Sequence, residues 1–97
     1  MIRSFGNKST EDFYHGRNSA QARKVPASVR ANAFRKLDML NAAITVQDLR
    51  SPPGNRLEKL SGDLSEFHSI RINQQWRLIF RWVDGCAEDV EIIDYHG

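Results

Sequence analysis

The strongest constraint on the fold is the alternation of side chains along the last third of the sequence. Between positions 76 and 82, tryptophan, leucine and phenylalanine occupy every second position, and arginine or isoleucine stands between them. Successive side chains of a β-strand point to opposite faces of a sheet, so this segment predicts a strand with a buried aromatic face and an arginine-bearing face. Residues 90–96 repeat the alternation, and Asp84-Gly85 between the two segments is a typical turn signal. The two segments therefore predict an antiparallel hairpin.

Shorter patterns predict further strands and the main helix. Residues 67–73 alternate in the same way, and residues 57–60 form a short strand-like run closed by a Ser-Gly-Asp turn. Upstream, apolar residues recur at helical spacings of three and four, and Pro26 suits the first turn of that helix. The apolar stripe consists of Val29, Ala33, Leu37, Leu40 and Ile44. Thr45 with Asp48 resembles a capping pair and predicts one further helical turn.

The N-terminal quarter of the chain is less regular. Residues 2–5 predict a short opening strand, residues 10–14 a brief helix that Gly16 ends, and residues 15–24 a basic loop or mobile segment. Together the patterns predict an α+β fold, with two or three N-terminal helices packed on a small, twisted, mainly antiparallel sheet. A chain of 97 residues has too few apolar side chains for two separate cores, so we expect one domain, 1–97.

Composition also indicates the setting of the protein. No run approaches the roughly 18 to 20 apolar residues of a membrane span. The first residues lack the apolar region and the cleavage site of a signal peptide. These features predict a soluble, cytoplasmic protein without a membrane partner. Cys86 is the single cysteine, which excludes an internal disulfide and a zinc-finger spacing, and we predict no metal and no other cofactor.

The charges are unevenly distributed, although the formal net charge is only +2. Between Tyr14 and Leu37 the chain carries arginines and lysines but no acid, whereas residues 84–94 carry a block of aspartates and glutamates. Arginines also stand inside the predicted strands, where their planar guanidinium groups suit phosphate. The pattern favours a polyanionic partner, with an ordinary solvated face as the alternative.

The predicted hairpins bring polar side chains to one end of the sheet. Folding the last strand back across its turn places residues 94–96 beside Arg77. The preceding hairpin sets Arg71 opposite the region of Arg77 and Arg81. A register slip of one residue would turn any of these side chains to the other face, so the facing stays open at this point.

These side chains suit the cleavage of RNA without a metal. The reaction needs a proton removed from a ribose 2′-OH, a neutralised phosphate and a proton for the leaving 5′-oxygen; arginine and histidine can supply these functions. Tyr95 can stack on a base or donate its phenolic proton, and Asp94 can orient an imidazole. Ordinary alternatives are a solvated chain terminus for His96 and edge-strand packing for Tyr95. His15 and His68 lack spaced metal partners and are predicted to be structural or surface residues.

Four segments carry a resemblance to a known family. They are MIRSF at the start, DLRSPPGNRLEKLSG at 48–62, HSIRINQQWRLIFRW at 68–82 and VEIIDYH at 90–96. In this order they resemble the HigB-type toxins of the RelE superfamily, especially the GraT-like branch. The four segments contain 42 of the 97 residues and are spread from position 1 to position 96. The two middle segments are the specific ones.

The resemblance implies a RelE-like fold and a metal-independent endoribonuclease that cuts mRNA on the translating 70S ribosome. It also implies neutralisation by a HigA-type helix-turn-helix antitoxin, through which the toxin would contact operator DNA indirectly. The implied catalytic residues are His96, Arg77, Tyr95 and Asp94, and the implied RNA-binding residues are Arg56, Lys59 and Arg71. In that picture His96 is the general acid or base, Arg77 binds the scissile phosphate and Tyr95 contacts the substrate.

The sequence departs from the family pattern at one place, and two other functions remain open. Glu58 and Ser61 stand where some HigB-type toxins carry histidine and lysine, which predicts a milder toxin or a different acid/base pair. One alternative is a ParE-like toxin that binds DNA gyrase and cleaves no RNA, although the terminal Tyr-His pair argues against it. The other is a ribosome or structured-RNA binder, for which the basic stretch 17–36 would suffice.

Overall fold

The computed structural model describes residues 1–95, so the predicted site residue His96 lies outside the described residues. The elements are α1 (Lys8–Tyr14), α2 (Arg30–Ala42), β1 (Glu58–Lys59), β2 (Phe67–Arg71), β3 (Trp76–Val83) and β4 (Cys86–Asp94). Short 3₁₀ helices lie at Ala22–Lys24, Ala27–Val29, Val46–Arg50, Pro53–Asn55 and Gly62–Leu64. The strands form one antiparallel sheet in the order β1-β2-β3-β4. This architecture confirms the predicted α+β fold.

The hairpin between β3 and β4 forms as predicted and contains one irregularity. Asp84 and Gly85 have φ angles of 51° and 77°, the left-handed conformations that a tight two-residue turn requires. Farther along, Ile79 pairs with Glu91 but Arg81 pairs with Glu88, so β4 carries an extra residue in a bulge. Asp89, with φ 53°, lies in this bulge. A bulge shifts the alternation of side chains by one position. Odd-numbered residues of β4 therefore face the core on one side of the bulge, and even-numbered residues face it on the other.

The N-terminal segment covers the outer edge of β4. Ile2 and Phe5 form isolated parallel bridges to Ala87 and Val90, rather than the continuous strand that the sequence predicted. Covering an edge strand removes the row of unpaired backbone groups that would otherwise invite pairing with another chain. In residues 1–95, no helix has both the length and the apolar composition needed to cross a lipid bilayer.

The hydrophobic core lies between α2 and the sheet. Its buried members include Val29, Ala33, Leu37 and Leu40 from the helical side, and Ile70, Leu78, Phe80, Val90 and Ile92 from the strands. Trp76 and Trp82, predicted as core residues, are half-buried and pack against this cluster. Ile44 is 80% exposed, so the prediction that it continues the helical stripe is wrong. The reason is that α2 ends at Ala42 and the chain turns away before Ile44.

The turn after α2 follows the predicted capping chemistry. Thr45 and Asp48 form a reciprocal capping box at the start of the 3₁₀ helix Val46–Arg50. The Asp48 carboxylate accepts hydrogen bonds from the backbone N–H groups of Ile44 and Thr45, at 2.9 and 3.0 Å. These bonds lower the pKa of Asp48 below its usual value. Leu49, at the end of this turn, is buried in the core.

A carboxylate in α1 ties down the segment that the sequence predicted to be a loop or mobile. Asp12 accepts hydrogen bonds from Lys8 at 3.0 Å, from Arg17 at 2.9 Å and from Ser19 at 2.7 Å. The hydrogen bonds from Arg17, Ser19 and Lys8 hold the pKa of Asp12 well below its ordinary range. These hydrogen bonds anchor Arg17 and Ser19 of the segment to α1.

We expect Asp12→Asn to melt several degrees below the wild type at neutral pH, because the amide lacks the charge that these donors stabilise. A lowered folded-state pKa stabilises the fold above the unfolded value of about 3.9, and this contribution is lost as the pH falls through the lower folded-state pKa. The difference in Tm should therefore narrow on acidification. Thermal melts monitored by circular dichroism across pH 2–8 test this, with the exposed Asp63→Asn as control. A difference that is constant with pH would contradict it.

Candidate functional site

A buried arginine lies near one end of the sheet, on the face that points away from α2. Arg77 follows Trp76 in β3 and is only 8% exposed. Its Nε donates to Ser69 Oγ at 2.9 Å, and its Nη2 donates to the Arg56 carbonyl at 2.8 Å. Glu58 Oε1 lies 3.5 Å from the same Nη2. These contacts from β1, β2 and the preceding loop hold the guanidinium in one orientation.

An aromatic ring covers this guanidinium from the end of β4. The centre of the Tyr95 ring lies 5.6 Å from the Arg77 guanidinium carbon, within the range of a cation–π contact. The backbone N–H of Tyr95 donates to the Gln75 carbonyl at 2.7 Å, so strand pairing continues one residue past β4. Tyr95 is 36% exposed, which leaves part of the ring accessible to a ligand. The structure thus brings two of the predicted catalytic residues together.

Asp94 occupies the other side of the sheet. In the β3–β4 register Asp94 pairs with Trp76, whereas Arg77 pairs with Ile93. Because neighbouring positions of a strand point to opposite faces, Asp94 and Arg77 face opposite ways. The Asp94 carboxylate accepts a hydrogen bond from Gln75 Nε2 at 3.1 Å. The sequence placed Asp94 beside Arg77 and left its face open; the register puts Asp94 next to the Arg77–Ile93 pair but on the opposite face.

The predicted arginine cluster is reduced from three members to two. Arg71 pairs directly with Arg77 across β2 and β3, as predicted, and its Nε donates to the Asn73 carbonyl at 3.1 Å. Arg81 lies four positions along β3, which is about 13 Å away at the usual rise of a strand. There Arg81 pairs with acids, with Asp89 at 3.2 Å among them. Arg81 therefore does not belong to the site.

The two other predicted RNA-binding residues, Arg56 and Lys59, lie at the border of the site in different orientations. Arg56 follows the 3₁₀ helix Pro53–Asn55 in a left-handed conformation, with φ 45°, and is exposed. Lys59 pairs with His68 in the register, so its position in β1 is on the opposite face from Arg77. Lys59 nevertheless lines a cavity of about 300 Å³ that Tyr95 also lines. The two residues therefore border a common cavity.

The electrostatics of the site favour an anion. Burial lowers the pKa of Arg77, nearby Glu58 and Tyr95 raise it, and the charges of Arg71 and Arg56 lower it. Arginine nonetheless stays protonated at neutral pH, because its pKa starts above 12. Two further guanidinium groups thus add positive potential around Arg77, and a bound anion would relieve their repulsion.

Sequence reasoning missed two partners of Arg77. Ser69 is fully buried and accepts the Arg77 Nε hydrogen bond, although its place in the alternation of β2 already put it on the same face as Arg71. Glu58 was noted only as a departure from the family pattern, yet it forms the ion pair with Arg77. His68 stacks on Phe80 with ring centres 6.0 Å apart, and burial lowers its pKa, in keeping with the predicted structural role.

Comparison with known proteins decides the family. The sequence model of the HigB-like toxin family matches residues 3–96. This family is described as the RelE-like toxin of the type II toxin-antitoxin system HigB. The chain belongs to the HigB-like family. This HigB-like toxin is 48% identical to Toxin HigB-1 of Vibrio cholerae serotype O1 over 87 residues, or 90% of each chain. It is also 44% identical over 59 residues to an uncharacterized protein of Haemophilus influenzae, covering 61% of this chain and 58% of that protein.

Solved structures with the same fold agree with this placement. The YoeB-YefM complex from Staphylococcus aureus matches with a TM-score of 0.61 and 15% identity, covering 100% of this HigB-like toxin and 99% of the matched chain. The YoeB/ParE toxin from Agrobacterium tumefaciens matches with a TM-score of 0.55 and 16% identity, covering 98% and 100%. Both confirm the predicted RelE-like fold, and the matching family model confirms the predicted type II toxin.

Proposed function

We propose that this toxin is a metal-independent endoribonuclease that cleaves mRNA on the translating 70S ribosome. The observation that carries the proposal is the Arg77 guanidinium, held by Ser69 and Arg56 and covered by the half-accessible ring of Tyr95. A fixed guanidinium beside an accessible aromatic ring suits a phosphate and its neighbouring unstacked base. The toxin acts as one domain, 1–97, in the cytoplasm, where ribosomes are available.

Arg77 and Tyr95 take the two roles that need fixed geometry. The ribose 2′-oxygen bonds to phosphorus, and the bond to the 5′-oxygen breaks, which leaves a 2′,3′-cyclic phosphate and a 5′-hydroxyl end. Arg77 stabilises the charge that develops on the phosphate oxygens, and its existing contacts reduce reorganisation during the reaction. The Tyr95 ring stacks on a base beside the cleaved bond. Arg71, Arg56 and Lys59 hold flanking phosphates.

The proton transfers fall to His96 and Glu58. An imidazole exchanges protons near neutral pH, and the resemblance assigns this role to His96. Glu58 joins the set because its carboxylate lies 3.5 Å from Arg77 Nη2 and lines the same cavity as Tyr95. A carboxylate there can accept the 2′-OH proton while His96 donates to the leaving 5′-oxygen. Asp94 lies on the opposite face of the sheet and takes no direct part in these proton transfers.

The proposed protein partner is a HigA-type helix-turn-helix antitoxin. The family is that of type II toxin-antitoxin systems, and the similar Staphylococcus aureus structures are complexes of YoeB with YefM. A helix-turn-helix antitoxin binds DNA through its recognition helix, so the toxin would reach operator DNA indirectly. Co-expression of this toxin with its proposed antitoxin, followed by size-exclusion chromatography, would show whether the two proteins form a stable complex.

We expect His96→Gln and Glu58→Gln each to slow RNA cleavage by roughly 10²–10⁴-fold, because each removes a proton-transfer group but keeps a similar shape. Induced wild-type toxin should produce new RNA 5′ ends within translated messages, and both variants should produce far fewer. The exposed His15→Gln provides the matched control and should cleave normally. Sequencing of RNA 5′ ends after induction measures the effect.

Two outcomes would replace this proposal. Intact messages together with inhibited DNA supercoiling by gyrase would indicate a ParE-like toxin of the same fold. Intact messages with an altered ribosome distribution along them would indicate a binder that blocks translation without cutting. The near-equal growth arrest of the wild type and both variants would also remove His96 and Glu58 from catalysis.

A further inference from the structure

A buried lysine and a buried asparagine form a polar pair beneath the loop that enters β1. Lys36, on α2, is 8% exposed, and Asn55 is completely buried. The Lys36 ammonium donates to Asn55 Oδ1. Within residues 1–95, no carboxylate forms an ion pair with Lys36, and burial lowers its pKa. A charged group retained in a core without a counter-ion needs a structural or functional reason.

Asn55 also fixes the backbone on both sides of the two prolines. Its Nδ2 donates to the Leu49 carbonyl at 3.0 Å and to the Ser51 carbonyl at 3.4 Å. Its own backbone N–H donates to the Pro52 carbonyl at 2.9 Å. One side chain therefore joins the 3₁₀ helix Val46–Arg50, the loop after it and, through Lys36, the main helix.

The residue that follows Asn55 is the one that holds the site arginine. The backbone of Arg56 adopts the left-handed conformation. Residues other than glycine rarely adopt it without support from their surroundings. In this conformation its carbonyl accepts the Arg77 Nη2 hydrogen bond at 2.8 Å. A continuous path of hydrogen bonds and one peptide unit thus runs from Lys36 through Asn55 and Arg56 to Arg77.

We propose that Lys36 and Asn55 are positioning residues for RNA cleavage: they hold the Arg56 carbonyl where it aims the Arg77 guanidinium. The inference rests on the proposed function for its catalytic consequence, but the link to Arg77 can be tested without any substrate. It also gives a reason for the buried lysine, which takes no part in the proposed reaction.

The first measurement follows the Arg77 side chain directly. Its Nε–H, bonded to Ser69 inside the protein, should give a distinct and slowly exchanging signal in ¹⁵N-edited NMR, assigned by its loss in Arg77→Lys. We expect Asn55→Ala and Lys36→Met to shift this signal and to speed its exchange with water. Asn41→Ala provides the control, because exposed Asn41 makes a hydrogen bond to the distant Ile2 backbone. An unmoved Arg77 signal in folded Asn55 and Lys36 variants would overturn the inference.

The second measurement asks whether the effect on cleavage passes through Arg77. A misplacement of about 1 Å can cost on the order of 10²-fold in rate, so we expect kcat to fall by that order in Asn55→Ala, with a smaller change in KM. Combining Asn55→Ala with Arg77→Ala should cause no further loss beyond Arg77→Ala alone. Additive losses would show that Asn55 only stabilises the fold. Lys36→Met, which retains most of the lysine volume, supplies the same test if Asn55→Ala does not fold.

The two proposals fail in distinguishable ways. If Arg77→Ala cleaves RNA at the wild-type rate, the proposed function is wrong, while the NMR signal still decides whether Lys36 and Asn55 position Arg77. If Arg77→Ala is inactive but Asn55→Ala and Lys36→Met cleave normally, the proposed function stands and the positioning role is rejected.

Discussion

Arg77→Ala should reduce RNA cleavage by on the order of 10²–10³-fold, the usual loss when one preorganised donor to a developing negative charge is removed. The Nε of the guanidinium already donates to Ser69 Oγ, and its Nη2 donates to the Arg56 carbonyl. The group therefore needs little reorganisation to contact a phosphate. Single-turnover cleavage of an RNA bound to ribosomes measures the loss. In cells, the same variant should no longer arrest growth.

The loss of Arg77 should also weaken the fold. Truncation leaves the buried Ser69 hydroxyl without its donor, which typically costs about 1–3 kcal/mol, and it also removes the hydrogen bond to the Arg56 carbonyl. Activity must therefore be compared at a temperature where both proteins are folded. Arg77→Lys keeps the positive charge but has no planar fork of donors, so we expect an intermediate rate.

Arg81→Ala is the matched control for Arg77→Ala. Arg81 lies in the same strand as Arg77 and four positions further on, so strand alternation gives it the same face. Its side chain pairs with acids, including Asp89 at 3.2 Å. Its removal should leave the cleavage rate within about threefold of the wild type, since surface ion pairs contribute little. Equal losses in both variants would mean that general positive charge, rather than the fixed guanidinium of Arg77, supports activity.

Phe80→Ala should cause the largest loss of stability, about 3–5 kcal/mol. Phe80 is 0% exposed at the middle of β3, with the His68 ring stacked at 6.0 Å and the Trp82 ring edge-on at 6.4 Å. Alanine would leave a cavity that these rings cannot fill without moving the sheet. For a domain of this size, the expected fall in Tm is at least about 12 °C. Urea denaturation and thermal melts measure it.

Ile44→Ala provides the comparison for Phe80→Ala. Both are large apolar residues placed by sequence periodicity in the core, but Ile44 is 80% exposed. Its truncation should change the free energy of unfolding by no more than about 0.5 kcal/mol. A large loss at Ile44 would show that α2 extends farther than Ala42 and that the apolar stripe is continuous, as the sequence alone predicted.

Periodicity predicted the hairpin but could not locate its bulge. The alternation of β3 and the Asp84-Gly85 turn each depend on local sequence, and both appear in the structure. The extra residue around Asp89 depends on which residues of β4 must be buried against both α1 and α2. An aspartate with φ 53° has no reliable local signal, because many aspartates in strands and turns have negative φ values.

The candidate site shows the same division between local and tertiary information. Alternation placed Arg71 and Arg77 in matching phases, and the register confirms that they are direct partners. It could not decide whether Asp94 would share their face, because one residue of register reverses the answer. The contact from Glu58 was not predictable, since β1 is only two residues long and its pairing is set by the loops around it.

By itself, the sequence determined the α+β class, the main helix, the antiparallel hairpins and the family, because each depends on periodicity or on short ordered motifs. Only the tertiary structure decided which polar side chains meet: Arg77 with Ser69, Glu58 and Tyr95, and Lys36 with Asn55. The physical reason is that strand register and loop conformation are fixed by the burial of the whole core. A shift of one residue in either changes the site completely while leaving every local propensity unchanged.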